Sequence, residues 1–160
     1  MDLKALNKEV QGRYSDGPKL NKHLVEIKQS LIPNAGNGLF AKHDIPKDTM
    51  IDYYYGKILD RKAWLELDGS DAYVMQLNRN TYIDAKEHKC LVAFTNDARG
   101  LTRTPGLRNN CIFELSDDSK NIGMVTTRNI KAGEELFTYY GNSYWKSMEF
   151  NIKNSKAVTA

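Results

Sequence analysis

The sequence predicts a mainly β fold with short helices, built as one domain. Runs rich in Ile, Val, Tyr, Phe and Thr are short. Clusters of Gly, Pro, Asn, Asp and Ser interrupt them about every 8–12 residues, as strands separated by turns require. Tyrosine is dense, nine in 160 residues, with clusters at Tyr53–Tyr55 and Tyr139–Tyr140, and it suits half-buried strand surfaces. The length fits one domain with a core of its own, and no internal repeat or low-complexity block is present.

Taken in order, residues 1–22 form a polar N-terminal extension, helical or flexible, in which Asp2 to Val10 makes a short helix or frays. Ser15-Asp16-Gly17-Pro18 is a turn or linker signal. The ordered core is expected to start near His23, with a first strand over Val25 to Lys28. Pro33 to Gly38 is a turn by composition, followed by a short strand over Leu39 to Lys42. After a second turn at Ile45 to Asp48, Met50 to Leu59 reads as a strand broken at Gly56. Arg61 to Leu67 carries helix formers around Trp64. Tyr73–Leu77 and Thr81–Ile83 read as a hairpin. Glu87 to Thr95 is a helical turn leading into a loop, Asn96 to Asn110. Cys111–Leu115 and Gly123–Thr127 pair as strands. Ile130 to Glu135 is a turn that feeds a last strand, Leu136 to Tyr139. Residues 23–145 make the domain, and 146–160 a polar tail, partly disordered by composition.

Composition narrows the function classes. With 41% hydrophobic and 27% charged residues the chain reads as soluble and globular. A net charge of +3 without clustered basic residues gives no footprint for direct nucleic-acid binding. The two cysteines, Cys90 and Cys111, make neither a disulfide framework nor a CxxC pair for zinc, so no metal site is expected and a reducing, intracellular compartment is. No apolar run approaches the ~20 residues that span a bilayer, and Met1 to Val10 lacks the apolar run of a signal peptide.

Several groups of residues suit chemistry. Gly36-Asn37-Gly38 lets backbone approach a ligand closely; read alone, it is more often an ordinary tight turn. Strand alternation turns Tyr54 away from Tyr53 and Tyr55, and Tyr140 away from Tyr139, so one of each group faces a pocket if there is one. Asn96 offers donor and acceptor to an adenine-like edge, although Asn96-Asp97 is also a common turn pair. Glu134 and Glu135 read as members of a solvated turn, and the three histidines lack ligand spacing. Nothing around Cys111 or His88 supports a thiol dyad.

In order and spacing these pieces resemble the SET-domain family of protein lysine methyltransferases, over roughly residues 24 to 145. Gly36-Asn37-Gly38-Leu39-Phe40-Ala41 is similar to the family's GxGlfA opening. Ile45 to Asp48 followed by Tyr54-Tyr55-Gly56 resembles its I-x-x-G…YxG segment, with Asp48 in place of glycine. Tyr82 to Ala85 resembles its yiDA strand, and Ile130 to Gly141 its closing I-x-x-GEEL-x-x-x-YG motif. Tyr144-Trp145 extends the motif as in compact, viral-type members. Asn96 and Asn110 fall at the two asparagines of NHSCxPN, whereas Asp97-Ala98-Arg99 replaces His-Ser-Cys and the spacing to Asn109-Asn110 is longer than usual. The cysteine clusters of zinc-binding flanks are absent.

The resemblance implies small curved β-sheets with a knot-like C-terminal threading, and S-adenosylmethionine (SAM) as cofactor. It implies cofactor contacts at Asn37, Gly38, Asn96 and Asp97, with Tyr73 as a cofactor or channel residue and Tyr144 or Trp145 over the adenine. Tyr140 and Tyr54 take the catalytic positions, and Phe113 and Thr138 bound the substrate channel with room for di- or trimethylation. The implied substrate is a protein lysine, a histone tail most commonly, which places the protein in the nucleus or on chromatin, with the cytosol as the alternative. The implied partners include neither nucleic acid nor membrane, and homodimerisation stays open. The alternative is a catalytically weak or inactive SET module that binds a peptide or partner.

Overall fold

Short strands with aromatic and β-branched side chains gather into three-stranded antiparallel sheets, of which the described residues form three. The computed structural model describes residues 2–67, 73–98 and 104–139.

Order begins well before His23. Helix α1, Leu3–Gly12, is capped by Asp2, whose Oδ1 accepts a hydrogen bond from the Ala5 N–H at 2.7 Å. Leu6 and Val10 lie one turn apart on one face, and Val10 is buried in the core. The polar face of α1 carries Lys4 and Lys8, both exposed.

The first sheet has the order β1–β2–β9, from β1 (Val25–Gln29), β2 (Asn37–Ala41) and β9 (Glu135–Leu136). Gly36 at φ 72° and Asn34 at φ 64° supply the left-handed backbone that joins β1 to β2. The second sheet runs β3 (Met50–Tyr53), β8 (Ile122–Thr126), β7 (Cys111–Leu115), and the third β4 (Lys57–Asp60), β6 (Thr81–Asp84), β5 (Val74–Asn78). The break expected at Gly56 thus sends one apolar run into two sheets. A side chain at Gly56 would overlap the backbone of Asp84 and Ala85, so only glycine lets the chain pass there. Helix α2, Arg61–Leu65, is capped by Asp60 and stacks Trp64 flat on Tyr82, ring centroids 4.5 Å apart.

The core lies where the sheets meet. Ile27, Leu39, Ile51, Leu91, Met124 and Leu136 are all buried there. The expected last strand is shorter than Leu136 to Tyr139, because the closing segment changes partners residue by residue. Leu136 pairs with Leu39 of β2, Phe137 bridges Asn96 in parallel, and Thr138 bridges Cys111 in parallel. The helical turn expected over Glu87 to Thr95 is a single 3₁₀ turn, Leu91–Phe94. The stretch from Tyr140 onward, on which a knot-like threading depends, lies outside the described residues.

Candidate functional site

The closing segment brings Asn37, Gly38, Asn96 and Thr138 together. The Asn96 Nδ2 donates to the Asn37 carbonyl at 3.1 Å and to Glu135 Oε2 at 3.5 Å. The Asn96 carbonyl accepts from the Thr138 N–H at 2.9 Å. Gly38 sits against this pair so closely that a Cβ would overlap Glu135 Oε2 and crowd Asn96 Nδ2. Glycine at 38 is therefore a packing requirement as well as a freedom of backbone.

Glu135 is the residue that sequence reasoning missed. Rather than sharing a solvated turn with Glu134, it is 2% exposed. Its Oε1 accepts from the Leu31 N–H and its Oε2 from the Ser30 hydroxyl, each at 2.7 Å. The β2–β9 register sets Phe40 opposite Glu135 and turns the carboxylate in under the β1–β2 turn. Glu134, by contrast, points out and pairs with Arg128 at 3.1 Å. No local signal marked it: Glu135, Leu136 and Phe137 are buried in succession without alternation, and the pairing with β2 is what turns the carboxylate inward.

Asn110 fastens the closing segment from the other side. It is 1% exposed; its Oδ1 accepts from the Phe137 N–H at 2.8 Å and its Nδ2 donates to the Glu135 carbonyl at 3.0 Å. The side chain thus occupies the place of a neighbouring strand's peptide. Asp97 is also buried, and its Oδ1 accepts from Asn109 Nδ2 at 2.9 Å. Asn109 Oδ1 in turn accepts from the Ala98 N–H at 2.9 Å. Asp97 and the paired asparagines therefore close the loop on itself.

A second cluster joins Tyr54, Tyr73 and Phe113. Tyr54 is buried, and the alternation expected over Tyr53–Tyr55 holds, with its two neighbours partly exposed. Its hydroxyl donates to the Tyr73 carbonyl at 2.6 Å, and its ring meets Phe113 edge-on at 5.7 Å. The Tyr73 hydroxyl accepts from Lys89 Nζ at 2.8 Å. The two clusters meet through β7: Thr138 bridges Cys111, two residues before Phe113. Thr138 is fully buried, and its Oγ1 has no hydrogen-bond partner among the described residues. A buried hydroxyl with no partner among the described residues, set between two clusters of candidate residues, fits a site that receives a polar ligand. Tyr140, Tyr144 and Trp145 lie outside the described residues.

Electrostatics argue against a thiol nucleophile. Burial pushes the Cys111 thiol up to about 12 and the Cys90 thiol to about 11, so neither is a thiolate near neutrality. Burial likewise raises Asp52 to about 6, opposed by a hydrogen bond from the Tyr53 N–H and by the Lys22 charge.

Comparison with known proteins gives the same family by independent routes. A family model described as SET domain matches residues 36–141. "Histone-lysine N-methyltransferase, H3 lysine-36 specific" of Schizosaccharomyces pombe is 31% identical over 84% of this chain and 17% of its own length. The protein of the same description from Mycosarcoma maydis is 32% identical over 67% of this chain and 12% of its own. Histone-lysine N-methyltransferase SETD7 of Halocynthia roretzi is 28% identical over 73% of this chain and 31% of its own. The chain therefore spans less than a third of the length of each of these relatives. Among solved structures, a chain of a humanized mutant of the Chaetomium thermophilum Polycomb Repressive Complex 2, bound to the inhibitor GSK126, superposes with a TM-score of 0.62. It is 24% identical over 74% of this chain and 15% of that one, a likeness of fold. With two thirds of its length inside the family model and its strands folded in the corresponding way, the chain belongs to the SET-domain family.

Proposed function

We propose that the protein is a SAM-dependent protein-lysine N-methyltransferase acting on a histone tail, in the nucleus or on chromatin. The observation that carries the reading is the convergence of Gly38, Asn96, Glu135 and Thr138 on the closing segment, immediately before Tyr140. Asn37 and Gly38 would hold the cofactor through backbone, Asn96 and Asp97 on its adenine side, and Tyr144 or Trp145 by stacking. The same reading has the chain thread beneath the Asn96 loop. When bound, SAM supplies an electrophilic methyl group on a positively charged sulfur.

The protein's own task is to present a neutral amine in line with that methyl. A free lysine has a pKa of ~10.4, so about one in 10³ is neutral at pH 7. A water-poor channel between Tyr54, Phe113 and Thr138 disfavours the ammonium and lowers that pKa. No strong general base is then needed, and alignment supplies most of the acceleration. The Tyr140 hydroxyl orients the amine. The hydroxyl of Tyr54 is committed to the Tyr73 carbonyl, so Tyr54 serves as a fixed wall. Phe113 and Thr138, neither carrying a phenol, leave room for a methylated amine to turn and accept a second or third methyl.

The competing reading, a binding module without catalysis, draws on Asp97 in place of the family's histidine. Asp97 is spent on Asn109, so its side chain holds the loop, and cofactor contact there falls to backbone. Calorimetric titration with SAM, followed by a methyl-transfer assay, separates the two readings. Saturable binding together with transfer supports the enzyme; absence of binding, or binding without transfer, leaves only the module.

A further inference from the structure

Residues 2–24 precede the family-matched stretch, yet they are fastened to β1 and to the loop at residues 88–89. Asn7 lies along β1 as a neighbouring strand would: its Oδ1 accepts from the Ile27 N–H at 2.6 Å and its Nδ2 donates to the Ile27 carbonyl at 2.9 Å. Gln11 Nε2 donates to the carbonyls of Lys22 at 3.0 Å and Val25 at 3.3 Å. These contacts close an edge that would otherwise be open and fix where the chain leaves α1.

At that exit two side chains reach one loop. Arg13 Nη1 donates to the Lys89 carbonyl at 2.8 Å, and the Tyr14 hydroxyl donates to the His88 carbonyl at 2.6 Å. The Tyr14 ring stacks on Tyr55 at 5.2 Å and meets His88 edge-on at 6.4 Å. With its backbone pinned, Lys89 extends to Tyr73: its Nζ donates to the Tyr73 hydroxyl at 2.8 Å and lies 4.2 Å from that ring's centroid and 5.3 Å from Phe94's. An ammonium only donates, so it occupies a lone pair of the Tyr73 oxygen and leaves the phenolic proton for another acceptor. The Tyr73 carbonyl meanwhile receives the Tyr54 hydroxyl at 2.6 Å and the Ala85 N–H at 3.0 Å.

We propose that Arg13, Tyr14 and Lys89 are positioning residues of the catalytic channel: the N-terminal segment fixes residues 88–89, and Lys89 sets the direction in which Tyr73 donates. The proposal rests on the reading of Tyr54 and Tyr73 as channel residues. Hydrogen–deuterium exchange on the ligand-free full chain tests the first half. Combined Arg13→Met and Tyr14→Phe should speed exchange over residues 85–90 by about tenfold or more and leave β7 and β8 protected. Tyr14→Phe alone, which keeps the stack on Tyr55, should do so to a smaller extent. Unchanged exchange in both variants overturns the coupling. The second half is read by the Tyr73 ¹³Cζ NMR shift and by methyl transfer from SAM to core histones. Lys89→Met should move the shift and lower kcat about tenfold with KM for SAM unchanged, and Lys89→Arg should restore both. An unmoved Tyr73 shift in Lys89→Met overturns the role given to Lys89, as does an unchanged kcat. If the parent protein binds SAM but transfers no methyl, the methyltransferase reading fails by itself, and the exchange and NMR results still decide whether the N-terminal segment sets Tyr73.

Discussion

Replacing Tyr140 by Phe removes one hydroxyl and keeps the ring. If that hydroxyl orients the amine, kcat falls by about 10²-fold, the usual cost of one well-aimed donor, while SAM affinity measured by calorimetry is unchanged. Phe113→Tyr does the reverse and adds a hydroxyl beside Tyr54, whose ring it already meets edge-on. The narrowed channel should stall the product at monomethyl-lysine in a mass-spectrometric time course with excess cofactor. An unaltered di- and trimethyl yield in this variant counts against the channel role of Phe113. Glu135→Ala strips the partners from Ser30, Leu31 and Asn96. Three hydrogen bonds at about 1 kcal/mol each put the loss near ~3 kcal/mol, read as a lower urea midpoint, with weaker SAM binding because Gly38 and Asn96 lose their common support. How legible each residue was follows from how local its environment is. The burial of Tyr54 follows from the two-residue period of its own strand. That of Glu135 depends on β2, nearly the whole domain away in sequence, so its own neighbours read only as a turn.

Among the elements, β1, the β5–β6 hairpin and the β7–β8 hairpin were readable because each finds its partner across a short turn. The closing segment was not, since it draws hydrogen bonds from β2, Asn96 and Asn110 in succession. A single sequence carries no period for three different neighbours. Strand β3 carries a testable strain. Asp52 is 2% exposed, and its Oδ1 has no hydrogen-bond partner among the described residues. Burial holds its pKa at about 6, above the ordinary carboxylate value of 3.8. Between these values the folded chain binds more protons than the unfolded one, so this group makes stability fall as pH rises from about 4 to 6 and stay low above that. Asp52→Asn is therefore expected to raise Tm at pH 7.5 by on the order of 3 °C and to lose that advantage toward pH 4. An equal gain at both pH values would place the strain elsewhere.

For the whole molecule, the mainly β class and the order of the family motifs were legible, whereas the integration of α1 was not. Its lysine-rich outer face hides a one-turn apolar stripe, and the side chains that bind it to the domain, Asn7, Gln11, Arg13 and Tyr14, are polar or amphipathic and give no periodic signal. The three sheets share one core, and the candidate residues Asn37, Gly38, Asn96 and Thr138 lie where the closing segment knits the first sheet to the second. The reading as a lysine methyltransferase is tested most directly by transfer of a radiolabelled methyl group from SAM to core histones, with Tyr140→Phe measured beside the parent. Label on a histone lysine in the parent, reduced about 10²-fold in the variant, is the predicted result. A parent protein that binds SAM yet leaves histone lysines unlabelled, or a variant as active as the parent, would contradict it.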